Sequence, residues 1–517
     1  MLLRIRHAFV VELISGIGEA IFWPPSVSKV TVWEPPLAAV PEADRETAAE
    51  AALQVAAIVA QQYGRQTRID FRQGIPSSVT LSADTRDVAI EDAPPGSPGQ
   101  VRVEQVGSGP LLVVSGSGAG LAAASRTVGS SALALATAPA AGGVVGGNLP
   151  AVPTYSVDNA GERTVTLAQM GSTLTLEGVG TTSVNDVLTQ AQFGSSVDRL
   201  AVHLKATYTP PPSGGYATFS VLVNKYIVAS DTLNGSGVLS ITAAVPATVL
   251  SRVEDITFRL DYSPPGGVCH LGLIPVQVTI DPSSGFVAGL GQLLPPGFER
   301  SPQNVANVIG VELVSVDDNT LEAASNVVSS LAQILPAAPR VEVGQAGSSS
   351  SFQTVLVVGA TPQVAAGFGA PLPLAPFRTV PGGAGYRVDQ PFAALEAFHH
   401  GGRDVILLGA DKDRALLTVV GKEVLDLPGG WYGLGSGEIA FTTAAGKLRT
   451  VATGSAVSQG GVLPGETGGG VPAWLEVAIA LVALAVAARI TWLALRMARL
   501  RRKAAEAEEN AEARGSG

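Results

Sequence analysis

Gly116, Gly118 and Gly120 follow the apolar run LLVVS and precede the alanine-rich AGLAAASR. A glycine-rich loop between a strand and a helix is where a dinucleotide's phosphates are cradled. The spacing here is not GxGxxG, and no acidic residue follows about 20 positions on to hold a ribose, so a tight turn is the expected reading. Asp411 and Asp413 have the DxD spacing that can hold a divalent metal under a sugar nucleotide. They fall between a strand-like and a helix-like run, where carboxylates also suit the helix dipole, and no QxxRW motif accompanies them. His399 and His400 are expected near a helix C-terminus, again a favourable electrostatic position. Ser26 and Lys29 match SxxK by spacing only. HExxH, CxxC and GxSxG are all absent. These patterns predict no catalytic residue, no metal site and no cofactor.

Binding is a separate matter. A pyranose ring stacks on a flat exposed aromatic, best of all Trp. Residues 151–283 contain no Trp but do contain Tyr208, Tyr216 and Tyr226. These three are the candidate polymer contacts; the alternative for any aromatic in an alternating strand is a place in the core.

The elements that would position these residues fall into three folded segments. The first, 25–140, carries strand-like SKVTVW, SSVTLS, VRVEQVG and LLVVSGS around the helix-like PEADRETAAEAALQVAAIVAQQYG, which Gly64 closes as a C-cap. The second, 151–283, has short segments of partial period-2 alternation separated by Gly, Pro and Ser, the pattern of an antiparallel β-sandwich. The third, 300–460, returns to a strand–helix rhythm, with Asn319 as N-cap of NTLEAASNVVSSLAQIL, PFAALEAFHH as a further helix and GEIAFTTAAGKLRTVA as a closing hairpin. The fold class is therefore α+β multidomain, a β-sandwich between two α/β domains. The two α/β segments suggest an internal duplication, although no repeat is visible residue by residue.

Composition narrows the function classes. The chain has 517 residues, 46% hydrophobic and 15% charged, with a net charge of −10, which argues against nucleic acid as partner. A single cysteine, Cys269, excludes an intrachain disulfide.

The C-terminal region predicts a transmembrane helix over 473–495, whose apolar run Val477–Leu495 is long enough for one span. Trp474 and Trp492 lie about 27 Å apart along a helix, at the two interfaces. Arg489 lies one turn inside Trp492, placed either to snorkel to the headgroups or to pair with a partner's helix. Arg496 and Arg499 begin a basic cluster that puts the tail 496–517 in the cytoplasm and the folded segments outside. Residues 1–24 read either as a poor signal sequence or as a mis-assigned start, with Glu12 and Glu19 interrupting the apolar stretch.

The stretch DRLAVHLKATYTPPPSGGYATFSVLVNKYIVASDTLNGSG (198–237) resembles the family of bacterial cellulose synthase accessory (regulatory) subunits, also called cyclic-di-GMP-binding subunits. Leu200, Leu204, Tyr208, Ser220, Leu222, Val223, Asn224, Val228, Ser230 and Leu233 fall in that family's strand pattern. The domain order and the single basic-flanked C-terminal span are also similar. The chain departs from the family in lacking a first β-domain. The resemblance implies a jelly-roll-like, carbohydrate-binding-like β-domain and flavodoxin-like α/β domains. It also implies a non-enzymatic role at the inner (cell) membrane, beside a multi-span catalytic cellulose synthase subunit and the nascent glucan. Cyclic di-GMP, a cytosolic messenger, would be bound by that catalytic subunit, so no nucleotide site is expected here. The alternative is a cell-surface polysaccharide-binding or adhesion protein independent of a synthase.

Overall fold

The computed structural model describes residues 27–129, 140–142, 155–158, 161–267, 274–291, 294–305, 307–344, 352–376, 388–443 and 446–451. The chain is β-rich and folds into several sheets with few helices. The predicted membrane segment, with Trp474, Arg489, Trp492, Arg496 and Arg499, lies outside the described residues, as do residues 1–24 and Cys269. Among the described residues no helix is long and apolar enough to cross a membrane.

The first α/β unit runs β1 (Lys29–Glu34), α1 (Arg45–Tyr63), β2 (Arg68–Gln73), β3 (Thr85–Asp92), β4 (Gln100–Val106), β5 (Gly109–Gly116), α2 (Ala119–Thr127) and β6 (Ala140–Gly142). Its sheet order is β2-β1-β3-β5-β4-β6, with β2, β1, β3 and β5 mutually parallel and β4 antiparallel to both its neighbours, β5 and β6. The Ala-rich body of α1 is buried almost continuously from Ala48 to Ala60, since small side chains let neighbouring elements approach closely. Gly64 ends it at φ 60°, a conformation that favours glycine. SSVTLS forms only an isolated bridge at Val79, and the strand is instead the more charged TRDVAIED.

Next comes a β-unit of β7 (Ser156–Val157), β8 (Arg163–Thr166), β9 (Thr175–Gly178), β10 (Gly180–Thr189), β11 (Val197–Tyr208), β12 (Tyr216–Val223), β13 (Tyr226–Leu233), β14 (Val238–Val245), β15 (Val253–Ser263), β16 (Val276–Ile280) and β17 (Gly285–Leu290). All its pairings are antiparallel. A four-stranded sheet, β10-β15-β12-β13, and a seven-stranded sheet centred on β11 share one apolar core. β17, which lies beyond residue 283, completes that unit by pairing with β8 and β11.

The second α/β unit has β18 (Val308–Leu313), α3 (Asp318–Ala332), β19 (Arg340–Gly344), β20 (Thr354–Ala360), α4 (Pro362–Gly367), β21 (Phe392–His400), β22 (Arg403–Asp411), α5 (Ala415–Leu425), β23 (Ile439–Thr443) and β24 (Arg449–Val451). PFAALEAFHH is a strand, not a helix: β21 lies between β22 and β23 with Phe392–Phe398 fully buried, so no polar face marks its period. The N-cap of α3 is Asp317, whose carboxylate accepts from Thr320 N, not Asn319. Asn319 instead ties α3 to α5, donating to Arg414 O at 2.7 Å and accepting from Thr418 Oγ1 at 2.7 Å. The expected closing hairpin is β23–β24.

The sheet order of this unit is β19-β18-β20-β22-β21-β23-β24. Strand for strand, with the same parallel and antiparallel senses, it repeats the first unit: β18 corresponds to β1, β19 to β2, β20 to β3, β21 to β4, β22 to β5 and β23 to β6. Helices α3 and α5 occupy the places of α1 and α2. The duplication that left no residue-level repeat is thus present in the connections.

The two units share a single hydrophobic core. One face of each sheet and the buried faces of α1, α2, α3 and α5 belong to one apolar cluster, running from Val30 and Leu53 to Leu321, Leu417 and Trp431. Helix α1 packs on its counterpart α3, while α1 meets the edge strand β19 and α3 meets the edge strand β2. Equivalent contacts made in both directions are those of a twofold relation within one chain.

Candidate functional site

The four-stranded sheet of the β-unit offers a polar face with residues suited to a ligand. Alternation assigns its two sides. Ala217, Phe219, Val221 and Val223 of β12, with Ile256, Phe258, Leu260 and Tyr262 of β15, enter the core. The intervening residues form rows across the sheet. One row is Thr181, Asp261, Thr218 and Thr232; the next is Ser183, Arg259, Ser220 and Ser230; a third is Asn185, Thr257, Leu222 and Ile227. The rows are partly self-bonded. Thr181 Oγ1 donates to Asp261 Oδ1 at 2.6 Å, Ser220 and Ser230 hydroxyls lie 3.0 Å apart, and Arg259 Nε is 2.9 Å from Asp261 Oδ2. Hydroxyls, one guanidinium and one carboxylate on a pleated surface can exchange hydrogen bonds with a polyhydroxylated chain.

The three expected tyrosines do not form one platform. Tyr216 stands at the end of this face beside Ser263, 58% exposed, its hydroxyl 3.3 Å from Thr232 Oγ1. Hydrogen bonds from Thr218 and Thr232 hold its phenol below the usual value. Tyr226 is 63% exposed but sits at the other end of the β12–β13 hairpin, opposite core-facing Val223. Along the strand the two are about 23 Å apart at roughly 3.3 Å per residue. Tyr208 is 7% exposed; its ring is in the core and its hydroxyl bonds Asn234 Oδ1 at 3.1 Å and accepts from Asn234 N at 3.0 Å. A buried ring is no stacking surface, so the expectation for Tyr208 is corrected: it sits at an inward position of the β11 alternation. Arg259, Asp261 and the Ser/Thr rows were missed, and their signal was that same alternation, with polar residues at most outward positions and Leu222 and Ile227 as exceptions.

The hairpin itself is fixed from behind. Asn224 (φ 49°) and Lys225 (φ 71°) make the turn in the left-handed region. Asn224 Oδ1 accepts from Asp255 N at 2.9 Å, and its Nδ2 donates to Val249 O at 2.9 Å and to the Glu254 carboxylate.

The chemically suggestive residues of the α/β units are occupied structurally. The glycines at 116–120 answer to close packing. A Cβ on Gly120 would lie 2.9 Å from Gly99 N, and one on Gly99 would lie 2.0 Å from Gly120 O. Ser117 Oγ accepts from Gly96 N at 2.9 Å, so the 96–99 loop is held against the turn, with Asp44 at the margin. Asp413 Oδ1 accepts from Ala415 N, the first residue of α5, at 3.0 Å, and Asp411 closes β22. Lys29 pairs with Asp70 at 2.8 Å; Ser26 lies outside the described residues. His399 lies near the end of a strand, not a helix, and its Nδ1 is 2.8 Å from Asp404 Oδ1. Among the described residues no group of three His, Cys, Asp or Glu side chains is placed to hold a metal.

Asp404 is the hub of a buried lock between the β-unit and the α/β body. Its oxygens accept from Arg300 Nε (3.1 Å), from a terminal Arg300 nitrogen (2.8 Å) and from Asn304 Nδ2 (2.6 Å). Asn304 Oδ1 in turn accepts from Ser196 N at 2.9 Å and Ser195 Oγ at 3.1 Å. Beside it Arg252 of the β-unit pairs with Glu299 at 2.5 Å and lies 4.4 Å from the Tyr432 ring centroid.

No family model matches the chain, and no curated protein does. Fragments of solved structures are similar. Dimeric latent PorU from Porphyromonas gingivalis is 18% identical over 22% of this chain and 10% of that one, with a TM-score of 0.16. The VP2 subviral particle of infectious bursal disease virus is 13% identical over 25% of this chain and 32% of that one, TM-score 0.17. TmCBM61 in complex with β-1,4-galactotriose is 11% identical over 26% of this chain and 87% of that one, TM-score 0.15. The chain thus spans a tenth to a third of the length of the first two. Likenesses this slight carry no argument about function.

Proposed function

We propose that the chain is a non-catalytic, membrane-anchored accessory subunit of a cellulose or related β-glucan synthase. The segment 473–495 anchors it beside the catalytic subunit, and the folded units stand outside the membrane, where the polymer emerges. The observation that supports this reading is a two-sheet β-unit set between two copies of one α/β topology, the order that the sequence resemblance implies. On this reading the β-unit is jelly-roll-like and the α/β units are flavodoxin-like. On the same reading Arg489, Trp474 and Trp492 belong to the docking segment.

Deleting residues 471–503 is expected to abolish polymer synthesis in membranes; synthesis at the level of the intact chain would refute the proposal. Arg489→Leu is expected to leave the complex intact if the arginine snorkels and to dissociate it if the arginine pairs with a partner helix. The polar face bordered by Tyr216 favours a second reading, polysaccharide binding without a synthase. It predicts that the chain purified from cells that make no glucan is retained on insoluble cellulose, and that Tyr216→Ala reduces this several-fold.

A further inference from the structure

The internal duplication exposes a difference between its halves. In each sheet an edge strand turns alternate amides outward, toward the other unit's helix. Arg340 N donates back to Asn307 O at 2.8 Å, so Val341 and Val343 amides face out. Helix α1 caps both: Gln54 Oε1 accepts from Val341 N at 2.9 Å and Glu50 Oε2 from Val343 N at 3.4 Å. Gln54 Nε2 also donates to Pro339 O at 3.2 Å, and Arg126 of α2 pairs with Glu50 at 2.6 Å. That seam is closed.

The other half has the same parts in an open state. Arg68 N donates to Ser28 O and Gly74 N to Glu34 O, both at 2.9 Å, so the Ile69 and Phe71 amides of β2 face out. The residues of α3 and α5 opposite them are Glu322, Asn326 and Lys422, the counterparts of Glu50, Gln54 and Arg126 with the same i, i+4 spacing. Asn326 is one methylene shorter than Gln54, and its Nδ2 turns back to Glu322 O at 2.8 Å. Between these helices and β2 is a cleft of about 230 Å³. That is smaller than the roughly 300–1,000 Å³ of pockets for drug-sized molecules.

We propose that this cleft binds a small oxyanion, a carboxylate or an inorganic anion, in the place that the Gln54 and Glu50 oxygens fill in the closed half. Outward backbone N–H groups are donors, Lys422 borders the cleft from α5, and Arg68 and Arg72 border it from β2, Arg72 with its guanidinium over the Trp33 ring. Of its two carboxylates, Asp70 is neutralised by Lys29 at 2.8 Å and Arg68 at 2.9 Å. Burial pushes the other, Glu322, toward its neutral form, with Lys422 opposing. The site is independent of the synthase reading.

The test is calorimetric titration of the detergent-solubilised full chain with citrate and, separately, with inorganic phosphate. Saturable binding of either is expected, and which one binds identifies the source. Asn326→Gln, which supplies the missing methylene, is expected to weaken binding at least tenfold while melting no lower than wild type. Lys422→Gln, a surface change, is expected to weaken it several-fold and decides the matter should the first variant not fold. No saturable heat with either anion, or equal affinity in a folded Asn326→Gln or Lys422→Gln chain, overturns the proposal.

Discussion

Glu34 is buried where the second unit has Leu313, at the end of the first strand facing the shared core. Ser325 of the other unit donates to its Oε1 and Gln73 Nε2 to its Oε2 at 3.2 Å. Burial, with Glu322 and Asp318 adding, pushes its carboxyl from 4.5 up to about 8. Glu396, under the loop whose Leu372 amide it accepts at 2.7 Å, is likewise pushed by burial to about 8. A carboxyl that holds its proton more tightly when folded stabilises fully below its unfolded pKa. That contribution is lost as pH rises through the folded value. The melting temperature is therefore expected to fall between about pH 5 and 8, and Glu34→Gln to flatten part of that fall; parallel melting curves against pH for variant and wild type would contradict it. Asp404→Ala, which strands the Arg300 charge in the interior, is expected to cost about 3–5 kcal/mol in urea unfolding. Neither buried carboxyl was legible in the sequence. Nothing in PFAALEAFHH says that Glu396 is enclosed, because its enclosure comes from the loop at Leu372, 24 residues earlier.

At the scale of elements, the alternating strands β11, β12 and β15 were readable because one face meets water and shows their period. Helix α1, buried almost throughout, was readable instead from its alanine-rich body and the Gly64 stop. β21 shows no period, since both its faces are covered, and its Ala and Leu content then suggested a helix. β3 was missed for the opposite reason: charged ends disguise a strand whose middle three residues are buried. The α1–β19 seam carries its own expectation. Gln54 is 4% exposed, and Gln54→Ala leaves Val341 N and Pro339 O without the partners it provides. A loss of about 1–3 kcal/mol is expected in equilibrium unfolding, against almost none for Gln61→Ala at the rim.

Among the described residues the two α/β segments share one apolar core, beside the separate core of the β-unit. The α/β segments were legible as separate domains because each has its own sheet. Their union was not legible, because α1 and α3 pack as counterparts without matching residues. The β-unit, with its own core, is an insertion held at one corner by Asn304, Arg252 and the Asp404 lock. Residues 27–142 alone are expected to show no cooperative melt, whereas 155–291 alone is expected to melt cooperatively, as calorimetry of the two fragments would show. On the proposed function, the polar sheet face and the duplicated α/β body would form a scaffold beside the polymer, and segment 473–495 would join it to the enzyme. The most direct measurement is affinity purification of the full chain in mild detergent from membranes that make β-glucan. A multi-span glycosyltransferase is expected to co-purify, and to be lost when residues 471–503 are deleted. Recovery of the chain by itself, from membranes where that enzyme is present and active, would contradict the account.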